Sequence, residues 1–415
     1  MAPSPDFSYR VFSIPILSIE SLFMNIRSRR EFLRLSSMLT AAGALPLLNA
    51  QQRAFAAEPD APVRIGYLPI TDATPLLVAH ANKLFEAEGL QVDKPRLFRS
   101  WAQLAEAFLS GQVNVIHLLS PMTVWTRYGS QAKAKVVAWN HMSGSGLTVA
   151  PNINDVKDLG GKTVAIPFWY SIHNVVLQQL LSKNNLTPVS HDKPAANEVK
   201  LVVMAPSDMV PALANKTIAG YIVAEPFNAL AEDLKVGKVL RFTGDVWKDH
   251  ACCVVLMHER DLTERQDWTQ KTVNAIVKAQ AWIRDHRQET ADLLSKDGTN
   301  KYTPHSKPTL SRVLVPEANF ETQYESTGAI RHADWKTARI DFQPYPFASY
   351  TEELIRQLKN THIEGNNAFL KDLDPAFVAG DLVDDRFVKN ALAAVGGLKT
   401  FGLDDTFTRT EQVAA

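Results

Sequence analysis

The feature that most constrains this chain's fold is a repeated alternation of short strands with helices that open on capping residues. That rhythm is the one of βαβ units, whose strands assemble side by side into parallel sheets. Residues 63–67 alternate apolar and polar with period two and predict a strand. Thr74 follows as a helix cap, with Pro75 at the first helical position. Leu76, Leu77, His80, Leu84 and Phe85 line one helical face, and Gly89 ends the helix. Ser100 caps a second helix carrying Trp101, Leu104, Ala105 and Phe108. A strand at 113–116 leads to a helix opened by Ser120 and Pro121 and stopped at Gly129.

A second series starts near residue 150. It predicts a strand at 162–166, a helix at 171–183, a strand at 200–204 and a helix after Ser207. A strand at 218–223 precedes a helix starting at Pro226, and residues 239–242 and 252–257 are returning strands. A long helix over 268–295 buries Val273, Ile276, Val277 and Ile283, with Gln280 interrupting the stripe. The pattern weakens beyond residue 300 into a wrapping helical tail, with helices at 350–359 and 386–394.

A chain of 415 residues is too long for one ordinary core and suits two α/β lobes. Several loops follow a strand and open a helix, so they offer unpaired N–H groups and a partial positive charge. In open α/β sheets ligands bind at these strand ends. Two facing sheets give a polar cleft that closes by hinge motion. The 44 basic and 44 acidic residues balance, which argues against a nucleic-acid surface or a polybasic membrane surface. The only cysteines are adjacent, Cys252 and Cys253, so no zinc ribbon or CxxC redox motif is present.

The segment Ser28-Arg29-Arg30-Glu31-Phe32-Leu33-Arg34 resembles the twin-arginine export signal. An apolar stretch over 35–48 follows, too short and mild for a spanning helix, and Ala54-Phe55-Ala56 has the small-x-small cleavage pattern. The expectation is a signal peptide over 24–56, cleavage between Ala56 and Ala57, and a start at Met24, with 1–23 an extension ahead of it. The implied location is the periplasm, reached folded through the Tat translocase. Folded export suits a chain with a cofactor, a metal or fast folding.

The run Gly66-Tyr67-Leu68-Pro69-Ile70-Thr71-Asp72-Ala73-Thr74-Pro75-Leu76 resembles the opening of the nitrate/sulfonate/taurine family of ABC solute-binding proteins. Ser100-Trp101, His117-Leu118-Leu119-Ser120-Pro121-Met122, Ala205-Pro206-Ser207-Asp208-Met209, Ala224-Glu225-Pro226-Phe227-Asn228 and Val246-Trp247-Lys248-Asp249-His250 are similar to its nitrate- and bicarbonate-binding branch. The resemblance runs from about 62 to 260, with a further match at 340–347. It implies a two-lobed periplasmic binding protein fold (type II), with mixed sheets flanked by helices and a hinge cleft. On that reading, lobe 1 comprises 62–149 and 247–415 with the tail, and lobe 2 comprises 150–246. The branch has a Glu-Lys pair after a His-Pro; here the stretch is His250-Ala251-Cys252-Cys253, so the anion-contacting charges are gone. It also has Gly-Glu-Pro-Trp where this chain has Ala224-Glu225-Pro226-Phe227, and a Gln-containing strand where this chain has Met142-Ser143-Gly144-Ser145-Gly146. Trp101 and His173 carry over.

The candidate ligand-binding residues are Thr71, Asp72, Ser100, Trp101, His117, Ser120, Ser143, Ser145, Trp169, His173, Glu225, Cys252 and Cys253. Trp101 opens a helix where its indole can wall a ligand, or it is a core residue. Ser100 caps the helix, touches the ligand, or both. His173 donates to an anion or is a packing histidine. Of the successive Phe168, Trp169 and Tyr170, at least one faces the cleft. Glu225 contacts the solute or locks its own helix. Cys252 and Cys253 form a vicinal disulfide, or stay reduced and point to opposite faces of a strand. A soft-metal set of His250, Cys252, Cys253, Met257 and His258 is spread over two faces by strand alternation, so no metal ligand and no cofactor is assigned.

The sequence therefore predicts a monomeric, non-enzymatic binding protein for a small organic solute, a sulfonate, carboxylate or heteroaromatic molecule. Its partners are an ABC permease and ATPase complex in the inner membrane. The alternatives are a ligand-sensing domain, a nitrate or bicarbonate binder, and an enzyme like the synthases of the thiamine pyrimidine precursor.

Overall fold

The computed structural model describes residues 61–315 and 317–415. The leader and the 1–23 extension lie outside these residues. Two sheets organise the chain. The first has the order β2-β1-β3-β12-β4, from β1 (Ile65–Tyr67), β2 (Arg96–Leu97), β3 (Val115–Leu119), β4 (Ala134–Trp139) and β12 (Cys253–His258). Strands β1, β2 and β3 run parallel, and β12 inserts antiparallel between β3 and β4. The side chains of Cys253 to Met257 are all buried, as a strand covered on both faces requires.

The second sheet has the order β11-β6-β10-β7-β9-β8. Its strands are β6 (Ser145–Val149), β7 (Lys162–Ile166), β8 (Thr187–Val189), β9 (Glu198–Val203), β10 (Gly220–Ala224) and β11 (Lys238–Phe242). Strands β7 to β10 pair in parallel, and β6 runs antiparallel to β10 and β11. The chain passes between the sheets twice, through 140–144 and 243–252. A short ladder of β5 (Met142–Ser143) with β13 (Ile340–Asp341) brings the tail against the first of these crossings.

Local chemistry accounts for several helix starts. The Ser100 hydroxyl accepts from the Gln103 N–H, as its expected capping role requires, and Ser171, expected as the first residue of its helix, is instead its cap and accepts from Asn174. Thr74 differs: it is the first residue of the Thr74–Ala81 helix, not its cap, and its hydroxyl donates back to the Thr71 carbonyl at 2.5 Å. The long helix also differs. It runs Gln266–Asp285, breaks at His286, where φ is −126°, and resumes as Arg287–Leu294. The tail adds helices at Lys307–Leu314, Phe320–Ser326, Ala348–Lys359, Pro375–Leu382 and Arg386–Ala394.

Gln280, the polar break in the long helix's apolar face, donates to the carbonyls of Trp139 (2.8 Å) and Asn140 (2.7 Å). A buried amide there clamps the start of the first crossing. Among the described residues no helix is long and apolar enough to cross a membrane.

Candidate functional site

Most of the candidate residues converge where the chain crosses between the sheets. Thr71 and Asp72 sit on a short 3-10 turn, Thr71–Ala73, just after β1. His141 and Ser143 lie on the first crossing, and His250, Ala251 and Cys252 lie on the second. Cys253 is the first residue of β12. His117 projects from β3, and Ser120 opens the Ser120–Val124 helix beyond it.

Backbone bonds fix these pieces against one another. The Asn140 side chain donates to the Asp72 carbonyl at 2.8 Å, and the Asn140 N–H donates to the Cys253 carbonyl at 3.1 Å. The Ser120 N–H donates to the Cys252 carbonyl, and its hydroxyl donates to the Ala251 carbonyl at 3.1 Å. The Tyr350 hydroxyl reaches the same Ala251 carbonyl at 2.5 Å. Gly144 has φ of +77°, and a Cβ placed there would lie 3.0 Å from the His141 ring. That position therefore needs glycine both for its backbone and for its neighbour.

The centre of the site is a cluster of Asp72, His141, Cys252 and Cys253, whose ligating atoms all lie within 4.8 Å of one another. All four residues are fully buried. Both cysteines are free thiols. The expected divergence of the two thiols does not occur, because Cys252 precedes the strand and escapes its alternation. His141 Nε2 lies 3.0 Å from Asp72 Oδ2 as an ion pair, yet none of their side-chain nitrogens and oxygens completes a well-aligned hydrogen bond. Burial and the nearby Cys252 push the Asp72 carboxyl up to about 6, against the pull of His141. Burial opposes a charge on His141, but Asp72 and Cys252 outweigh it and raise the imidazole to about 10. Burial likewise opposes ionisation of Cys252, yet Cys253, His173 and His141 hold its thiol well below the usual range. Cys253 is pushed well above that range by burial and by Cys252.

The second sheet reaches the cluster through Ser145, at the start of β6, and the Ile172–Lys183 helix that follows β7 reaches it through His173. Ser145 Oγ and His173 Nε2 are 2.9 Å apart, and each lies 3.7 Å from Cys252 Sγ. Thr71 ties the two sheets' edges together: its N–H and its hydroxyl both donate to the Glu225 carbonyl at 3.0 Å.

Beside the cluster stand Trp101 and His117, with ring centroids 5.4 Å apart at 64°. The Leu68 N–H donates to His117 Nε2 at 2.9 Å. Burial lowers the His117 imidazole to about 3, so the ring is neutral at pH 7. Its one proton must then sit on Nδ1, which is buried without a partner. The Trp101 indole N–H is likewise buried and unpartnered. Two neighbouring donors are thus left unsatisfied.

Other candidates lie apart from this centre. The Glu225 carboxylate is taken up inside the chain, by Arg339 Nε at 2.7 Å and by the Ala229 N–H at 3.1 Å. It locks its helix to the tail. Trp169 packs its ring on His362, and Tyr170 on Phe369, so this aromatic run holds the C-terminal segment. Ser100 keeps to its capping role, and Ser143 (φ +56°) shapes the crossing, donating its N–H to the His250 carbonyl. The soft-metal set is not assembled: His258 stacks on Phe108, and His250 bonds Thr243 at 2.9 Å. His141 and Arg339 were not singled out from the sequence. The only signal for His141 is a polar Asn-His pair directly after an apolar strand.

A profile of the NMT1-like family matches residues 56–296. The nitrate/nitrite binding protein NrtA of Synechococcus elongatus is 27% identical over 257 residues, covering 54% of this chain and 55% of that protein. The chain spans about half the length of the curated relatives it matches. The crystal structure of the periplasmic nitrate-binding protein NrtA from Synechocystis PCC 6803 superposes with a TM-score of 0.65 at 15% identity, covering 84% of this chain and 92% of that one. The ligand-binding component of an ABC-type import system from Staphylococcus aureus, solved with zinc bound, gives a TM-score of 0.62 at 22% identity, covering 79% and 98%. These likenesses establish the periplasmic binding protein fold.

Proposed function

The chain belongs to the NMT1-like family, whose profile covers more than half of it, and from that premise we propose that it is the substrate-binding component of an ABC importer. It takes a small organic solute, a sulfonate, carboxylate or heteroaromatic molecule, between two hinged lobes and delivers it to a permease and ATPase complex. It performs no chemistry. It acts as a monomer in the periplasm, after export through the Tat translocase and cleavage near Ala56.

The observation that carries this reading is the pair of unsatisfied donors, Trp101 Nε1 and His117 Nδ1, buried beside two aromatic faces. A buried donor without a partner costs about 1–3 kcal/mol, which an anionic or carbonyl oxygen of a ligand recovers. The flat walls suit a ligand with an apolar or planar body. The relatives are named for nitrate, but bare nitrate or bicarbonate is disfavoured here because Cys252 and Cys253 stand where that branch is expected to carry its Glu-Lys pair.

The test is a thermal-shift screen of the purified mature chain against inorganic anions, sulfonates, carboxylates and pyrimidines, since a ligand of the native state raises its melting temperature. An organic anion is expected to give the dominant shift. A dominant nitrate or bicarbonate shift, or turnover of any compound, overturns the reading. Trp101→Phe keeps the ring and removes the N–H. It should weaken the identified solute about tenfold or more, the loss of one charge-assisted hydrogen bond.

A further inference from the structure

We propose that Asp72, His141, Cys252 and Cys253 hold one resident zinc ion. This inference is independent of the transport reading. It rests on two separate observations. The first is geometric: four ligand atoms of four side chains lie within 4.8 Å of one another. The edges of a tetrahedral zinc site, with ligands at about 2.0–2.3 Å, are about 3.5 Å long, so modest side-chain rotation closes the set. The second is the state of the polar groups. Asp72 and His141 are fully buried and face each other as an ion pair at 3.0 Å, and none of their four polar atoms completes a well-aligned hydrogen bond. A carboxylate and an imidazole in a fully buried site beside two thiols, with no well-aligned hydrogen bond to either, fit a shared cation.

The donor set selects the metal. Two thiolates, one imidazole and one carboxylate are the S, N and O ligands of four-coordinate zinc. Calcium and magnesium require oxygen ligands throughout, and Cu(I) favours purely soft sets. The cysteines are reduced and adjacent, and the position of Cys252 ahead of the strand lets both sulfurs turn inward. Zinc is ligated by thiolates, so binding releases the thiol protons it displaces. Outer partners are in place. Ser145 and His173 stand 3.7 Å from Cys252 Sγ, and Asn140 holds the Asp72 and Cys253 carbonyls. With all four ligands from the chain and none exposed, the ion is a structural resident and not the transported cargo.

The experiment uses the full mature chain, purified without chelator, and measures metal by mass spectrometry and thiols in denaturant. Stoichiometric zinc and two titratable thiols are expected. Reloading the stripped protein with Co²⁺ should give the visible bands of a tetrahedral site and a near-ultraviolet thiolate-to-cobalt charge-transfer band. Cys253→Ser and His141→Ala should each lose stoichiometric zinc. The wild-type cobalt spectrum decides the matter even if these variants fold poorly. The proposal is overturned if the wild-type chain takes up neither ion, if the thiols are a disulfide, if iron or copper is bound instead, or if a folded Cys253→Ser variant retains full zinc.

Discussion

Replacing Arg339 with methionine removes the cation that pairs with the buried Glu225. Arg339 Nε meets Glu225 Oε1 at 2.7 Å, Nη2 meets Glu232 at 3.1 Å, and Nη1 donates to the Tyr324 hydroxyl at 2.9 Å. Glu225 is fully buried, and Arg339 nearly so. With charge centres about 4 Å apart and an effective dielectric near 20, the attraction is about 4 kcal/mol. That agrees with the roughly 3–5 kcal/mol lost when one partner of a buried pair is removed. Burial already pushes the Glu225 carboxyl up, against the pull of Arg339. Without the arginine its affinity for a proton rises further. A raised carboxyl is stabilised when neutral, so the deficit of Arg339→Met should be largest near pH 7 and shrink towards pH 5. Adding Glu225→Gln removes the stranded charge and keeps an acceptor for the Ala229 N–H. The double variant should therefore recover about 2 kcal/mol or more over the sum of the single losses. Urea unfolding followed by tryptophan fluorescence measures all four species. A single-variant loss below about 1 kcal/mol, or additive losses, would refute the reasoning.

His258 is a second test of burial. Its ring stacks on Phe108 and burial lowers its pKa to about 4, against about 6.5 unfolded. The unfolded chain takes the proton first, so this contribution is complete above pH 6.5 and is lost as pH falls to about 4. Between pH 7 and 4.5 the wild type should lose about 2.5 kcal/mol more stability than His258→Gln, and parallel pH profiles of the two would contradict this. Gln280→Leu leaves the carbonyls of Trp139 and Asn140 without their donor. The expected loss is about 2–4 kcal/mol in the same unfolding assay, and a neutral result would mean that water replaces the amide.

Local features read well from the sequence, because local physics sets them. The cap at Ser100 and the helix at 386–394 depend on neighbours a few residues away. The site depended on contacts distant in the chain. Nothing near His141 announces that it meets Asp72 and the cysteine pair. Glu225 was legible only as a charge at a helix start, and its partner Arg339 lies in the weakly patterned tail. The cysteine pair was misjudged by one position. Strand alternation applies from Cys253, and placing the strand's start at Cys252 sends the two sulfurs apart. Gln280 was legible as an anomaly on an apolar face, but its two acceptors belong to a distant crossing.

The site's contacts divide along the fold in a way that bears on both proposals. Three of the four proposed zinc ligands lie on the two crossings or directly beside them, and the fourth, Asp72, is tied to the first crossing through Asn140. None belongs to the second sheet. That sheet contributes Ser145, and the helix after β7 contributes His173, as outer neighbours of Cys252, while Glu225, directly after β10, accepts the two hydrogen bonds from Thr71. Those two bonds are worth about 1 kcal/mol each, a weak latch. On the proposed two-lobed mechanism, opening breaks the latch and draws His173 away while the four ligands stay together. Trp101 and His117 belong to the first sheet's side, so they remain with the ion when the second sheet leaves. A resident zinc would then brace the hinge crossings through each opening, and the solute would meet its donors on a surface the metal holds in place.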